Sequence, residues 1–223
     1  MSAADLAGIT LLTLRVGLVA TLLILVPGVA TGWVLARARF PGLSLVRATI
    51  LLPMVLPPVA VGLFLLELLA RSFPVGAALQ RLLGEPVLLT WWAAVIASAV
   101  MSFPLLVLGA EQGFAAVPRR LEQVAATLGA SRARIFLRVT LPLAARAILY
   151  GLVFAFARGL GEFGATTLVA GRIPGKTETL ALAIYGRIEE FRDRDAALLS
   201  LISVLLAFSI TALAETCLRG RRR

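Results

Sequence analysis

Arg158 and Glu162 lie four residues apart inside the apolar stretch Leu143 to Ala170, where charge is least at home. If that stretch is helical, the two share a face and can form a local ion pair, although Arg before Glu is the weaker order at this spacing. A second account is a gate or pathway element. A charge at mid-bilayer costs roughly 2.5–3.5 kcal/mol on insertion scales, so it normally meets a partner or an aqueous path. Gly159, Gly161 and Gly164 would thin the helix and admit close approach by a neighbour, or by the same helix of a second copy. An anion would be drawn to Arg158 and repelled by Glu162. Glu162 is therefore expected to hold Arg158 or brace the gate, leaving attraction to Arg158, Thr166 and Thr167. Other chemistry is thin. The chain has no histidine and a single lysine, Lys176, which removes His-based catalysis and leaves no membrane-embedded base for a serine nucleophile. No GxxxxGK[ST] loop is present, so no ATP site and no other cofactor is expected on this chain.

The second chemically loaded segment is Leu121 to Pro142, LEQVAATLGASRARIFLRVTLP, flanked by long apolar runs. Pro118 is a plausible helix start, and Leu121, Val124, Ala125 and Leu128 recur at the spacing of one helical face. Gly129 permits a left-handed stop, Ser131 can cap a second short helix, and Pro142 is expected to close the unit. Arg119, Arg120, Arg132, Arg134 and Arg138 surround the apolar ridge. Such a segment either fixes topology as a basic loop or offers the ridge to a partner.

The elements that position these residues follow from hydropathy. Of 223 residues 60% are hydrophobic and 15% charged, against about 25% charged in soluble domains. Charge-free runs at Val16–Ala36, Ala48–Leu66, Val87–Ala110 and Ala196–Ala214 each approach the roughly 20 residues needed to cross a bilayer. With 143–170 as another, the expected spans are about 11–36, 48–70, 88–112, 144–170 and 196–217, one all-α transmembrane domain with a loop at 118–142. Pro53, Pro57 and Pro58 should disrupt the second span, as a kink or as a broken helix lining a cavity. Trp91 and Trp92 suit an interfacial belt, residues 71–86 an external loop with a short surface helix, and 171–195 an external loop or interfacial helix. The first span has no basic region before it and is expected to stay in the mature chain. Cys217, the only cysteine, excludes an intrachain disulfide.

The +10 net charge is not read as a nucleic-acid footprint. Arginines concentrate at 37–47, 119–146 and 219–223, and the positive-inside rule puts these groups in the cytoplasm, with the N-terminus outside and the C-terminus inside.

Gln123-Val124-Ala125, then Gly129, then Val139, Leu141 and Pro142 resembles the EAA loop of ABC importer permeases. Gln123 and Val124 stand where that loop usually has Glu and Ala. The resemblance implies a coupling helix seated in a separate ATPase, with Gln123, Ala125, Ala126, Leu128, Gly129, Leu141 and Pro142 as coupling residues. The runs LPMVLPPVAVG (with Pro57 and Pro58), MSFPLLV, GEFGAT and AGRIPGKTETLALAIY resemble the sulfate and molybdate branch, and the molybdate members more. That likeness spans about 50–186 and implies a type I importer permease fold. It also implies a pore made with a second copy, ATP and Mg on the partner ATPases, and an extracytoplasmic oxyanion-binding protein. The setting would be a bacterial or archaeal cytoplasmic membrane. Arg158, Gly161, Glu162, Gly164, Thr166, Pro57 and Pro58 are the expected pathway or gate residues. Molybdate is the expected cargo, with sulfate, thiosulfate or tungstate the alternatives. A stand-alone channel or carrier would explain the charged pair but not the loop spacing.

Overall fold

Ser2 and Asp5 close a capping box that starts helix α1 (Ala3–Arg37), which runs unbroken through Pro27. At 1.5 Å per residue its 35 residues reach about 52 Å, longer than the roughly 30 Å hydrocarbon core. The computed structural model describes residues 2–219, and the regular structure among them is helical throughout. Side chains 217–219 are not among the described ones. Cys217 and the basic group 219–223 therefore lie outside what the structure describes, save the backbone of Cys217 and Arg219.

Gly42, at φ +93°, turns the chain into α2 (Leu43–Val55). Leu56 precedes Pro57 and is forced into the extended region, which ends α2 there; α3 (Pro58–Leu69) restarts at once. The two helices meet at 108°. The span expected at 48–70 is thus a broken pair, and the break falls at Pro57–Pro58, while Pro53 is accommodated inside α2. A short α4 (Pro74–Leu83), closed by Gly84 in the left-handed region, leads to α5 (Trp91–Ala115).

The segment after α5 folds as α6 (Arg119–Thr127), α7 (Arg132–Ile135), a π-helical turn at Phe136–Thr140 and α8 (Leu141–Leu160). Pro142 does not close this unit. It sits in the first turn of α8, and helix runs continuously from Arg132 to Leu160. In a straight α-helix its ring would press on the carbonyl of Arg138; the widened π turn precedes it directly. After a break at Gly161–Phe163 come α9 (Gly164–Val169), α10 (Leu180–Glu189) and α11 (Asp193–Arg219). The expected span 144–170 is therefore also interrupted. Among the described residues four helices (α1, α5, α7–α8 and α11) are long and apolar enough to cross a membrane, five spans if the bent pair counts as one.

Between apolar helices in lipid, small residues decide how closely backbones approach. Helix α5 is the centre, with α1 and α8 against it. A side chain on Gly109 would collide with the Cα of Gly151, and one on Gly32 with Ala110 and the backbone of Glu111. Helix α11 is largely uncovered, with Leu201, Val204, Leu205, Phe208 and Leu213 exposed. Trp91 and Trp92, in the first turn of α5, are half-buried against the core; the Arg15 guanidinium lies 4.2 Å from the Trp91 ring centre.

Candidate functional site

The basic segment forms the helix–turn–helix expected of it. Pro118 is the N-cap of α6, Gly129 turns at φ +82°, and Ser131 caps α7 by accepting from the Arg134 N–H. No residue of α6 is buried. Its ridge is bare: Leu121 and Val124 are about half exposed and Leu128 is 81% exposed. Gln123 and Ala126 line an open cavity of about 410 Å³ with Arg37, Arg119 and Glu122. The Ala125 carbonyl accepts from Ala130 and fixes the turn, Leu141 packs on the core, and Pro142 is exposed. All seven expected coupling residues thus fall on one end of the bundle, on or beside α6.

Glu122 was not foreseen. Its Oε1 accepts from Arg37 Nη2 at 2.7 Å and from the Thr140 hydroxyl at 2.6 Å, joining the ends of α1, α6 and the π turn. A single acid amid five arginines was the available sequence signal, but its partner is 85 residues away. Phe136, opening the π turn, lies between Trp33 of α1 and Phe114 of α5, at 5.8 and 6.0 Å between ring centres.

Arg158 and Glu162 do pair, Nη1 to Oε2 at 2.7 Å. They do so across a helix end, and not along one helical face, because α8 stops at Leu160 with Gly161 as its cap. Glu162, 2% exposed, uses its other oxygen to accept the Ala165 N–H at 2.9 Å, satisfying a backbone donor that the break leaves without a carbonyl. Opposite stands the Pro57–Pro58 break. A side chain on Gly164 would strike Pro58, and one on Gly62 would strike the Ala165 backbone, so α3 and α9 are in backbone contact. Pro58, Val59, Arg158, Gly161, Glu162, Phe163 and Gly164 line an open cavity of about 370 Å³. Two broken helices thus meet with one partly exposed guanidinium between them, able to attract an anion, and a carboxylate that is already engaged.

Two expected members behave differently. Thr166 is buried at 1% exposure and does not line this cavity, while the Thr167 hydroxyl donates to the Phe163 carbonyl. Gly161 meets no close neighbour, so Gly164 and Gly159, not Gly161, serve close approach. Ser98 and Ser102 of α5 face Gly159, and Ser98 donates to its carbonyl at 3.4 Å.

The opposite end of the bundle is a closed structure. Thr177 donates to the Gly171 carbonyl and accepts from the Ile173 N–H, and the Thr13 hydroxyl accepts the Leu180 N–H, pinning α10 to α1. Glu178, with a side chain 3% exposed, faces Arg187 at 3.3 Å and Arg172 at 3.8 Å. Arg172 also donates to Glu190 at 2.8 Å, and this hydrogen bond holds the Glu190 carboxyl below its ordinary range. A hydrogen bond with Glu189 raises the Tyr185 phenol, whose ring lies 4.9 Å from Phe163 beside the break.

An all-helical bundle of apolar spans, carrying two facing helix breaks and an unpartnered amphipathic helix at one end, defines a polytopic membrane permease. The chain belongs to the family of binding-protein-dependent transport system inner membrane components, which residues 28–219 match. The molybdenum transport system permease protein ModB of Escherichia coli strain K12 is 42% identical over 213 residues, 95% of this chain and 93% of that protein. The sulfate transport system permease protein CysT of Salmonella typhimurium strain LT2 is 36% identical over 205 residues, 90% of this chain and 74% of that protein. A chain of the MetNI methionine ABC transporter, in an inward-facing conformation, superposes over the full length of both chains with a TM-score of 0.76 at 18% identity. The fold is that of the type I importer permeases, as the sequence led us to expect.

Proposed function

We propose that this chain is the membrane-spanning subunit of an ATP-driven molybdate importer. Two copies form the pore, cytoplasmic ATPases dock on α6, and an extracytoplasmic binding protein delivers the anion at the end carrying α10. The observation that carries the coupling role is α6 itself, an apolar ridge left bare on a helix that sits among arginines. Arg37, Arg39, Arg47 and the arginines of 119–146 share that end, so it faces the cytoplasm. Five spans, counting the bent pair as one, then put the N-terminus outside and the C-terminus inside. The cargo reading is supported by the higher identity to the Escherichia coli ModB than to CysT, 42% against 36%. ATP-driven closure of the ATPases moves α6, and the facing breaks at Pro57–Pro58 and Gly161–Phe163 open and close around Arg158. The chain supplies no catalytic group and no nucleotide site; ATP and Mg belong to the ATPase.

Sulfate is the second reading, favoured by the substantial identity to CysT. The test is uptake of labelled molybdate by cells expressing this chain with its ATPase and binding protein. Uptake that resists a large excess of sulfate but falls with tungstate is expected. Uptake abolished by modest sulfate would move the cargo to sulfate and leave the coupling role standing.

A further inference from the structure

Helix α6 is held to its own chain by very little. It buries no residue, and it touches the rest of the molecule chiefly through α7 and the π turn. Its one side-chain anchor with charge is Glu122, the only acidic residue between Arg119 and Thr140. The anchor is unusual in what it joins. A single oxygen, Oε1, receives Arg37 from the last turn of α1 and Thr140 from the last residue of the π turn. Thr140 is 2% exposed and Arg37 is largely covered, so both donors are fixed by their own packing. The π turn in turn is anchored from above, with Phe136 between Trp33 and Phe114, and it leads without interruption into α8. Helix α8 carries Arg158 in its last turn and stops at the break.

We propose that Glu122 is a positioning residue that transmits displacement of α6 into α8 through the π turn, with α1 as the fixed point against which α8 is moved. The π turn suits this part. Its i→i+5 bond, from the Leu141 N–H to the Phe136 carbonyl, encloses one residue more than the α turns on either side, a single-turn irregularity of the kind often found at functional sites. Without Glu122, α6 can follow an attached ATPase while α8 stays behind. Hydrolysis then continues and transport does not. This rests on the docking role of α6 proposed above, and the test separates the two.

The experiment uses the complete transporter with its ATPase and binding protein in liposomes, comparing the native chain with Glu122→Gln and with the charge swap Arg37→Glu/Glu122→Arg. ATPase co-purification is scored beside molybdate moved per ATP hydrolysed. Glu122→Gln is expected to keep co-purification within about twofold and to lower transport per ATP about tenfold, and the swap, which re-forms the pair with α1 but removes the carboxylate that accepts from Thr140, to stay as low. In the permease alone, amide exchange at 136–141 should rise about tenfold in Glu122→Gln, with α5 unchanged. A native transport ratio together with native exchange in Glu122→Gln would overturn the proposal. So would loss of co-purification, which would make Glu122 part of the docking contact. Failure of the native chain to retain its ATPase would instead count against the docking role, and the exchange measurement would still judge the clamp.

Discussion

The two ends of the bundle are built from the same parts to opposite ends. Each carries a short helix, an arginine-rich neighbourhood and a glutamate between two donors. At the α10 end Glu178 is buried, the apolar face of α10 is covered through Leu180, Leu182 and Ala183, and threonines close the loop onto itself and onto α1. At the α6 end nothing on the short helix is buried, and its leucines stand free. Thr13, against α10, and Arg37, against α6, are about 36 Å apart along the same helix α1. The difference teaches that a helix can be completed by its own chain or left for a partner. Here charge does not distinguish the two cases; coverage of the apolar face does.

Removing the glutamate at each end should expose the contrast most strongly. Glu178→Ala leaves Arg187 buried without its main counter-charge and should destabilise the protein by about 3 kcal/mol. Glu122→Ala, at a half-covered site, should cost only about 1 kcal/mol. Thermal unfolding of the purified permease checks both, and equal losses would break the comparison. A smaller effect is expected from Gly186→Ala. The Arg172 guanidinium lies where a methyl group would be, so the substitution pushes it off Glu178 and Glu190 at a cost of about 1 kcal/mol, read by the same melt.

The smallest effect is one of pH. The folded state holds the Glu190 carboxyl below its ordinary value, so the unfolded chain binds more protons in that window. The stabilisation is complete above the ordinary carboxylate range and is lost as pH falls through the lowered value. Glu190→Gln should therefore lower the melt slightly at neutral pH, where the native chain has the full stabilisation, and flatten its decline below about pH 4.5. An unaltered acid limb would remove Arg172 as the cause.

Much of the α6 end was legible in the sequence because its signals are local. Pro118, Gly129 and Ser131 each act within a turn of their own position, and each does what its chemistry favours. The arginine–glutamate pair was legible too, but for the wrong reason: spacing predicted one helical face, and the glycines at 159 and 161 end the helix first. Sequence reading counted three prolines in the second span without saying which one breaks it. Only Pro57–Pro58 does, since two consecutive prolines also push Leu56 out of the helix. The Glu122 clamp, the burial of Glu178 and the coverage of α10 were invisible, because each depends on contact between segments far apart in the chain. Thr166, assigned to the pathway by its polarity, is buried in the single chain and does not line the cavity at the two breaks.

The most direct test uses two leucines that match in everything but location. Leu128 closes α6 and is 81% exposed; Leu82, on α4 near the other end, is 80% exposed. Each is changed to Asp, and retention of the ATPase is measured by co-purification from membranes with equal amounts of inserted permease. The account predicts that Leu128→Asp lowers retention at least tenfold, as loss of a central apolar anchor of about 1.4 kcal/mol or more would, while Leu82→Asp leaves it unchanged. Retention by Leu128→Asp equal to that of the native chain would contradict the claim that α6 is the end left open for a partner.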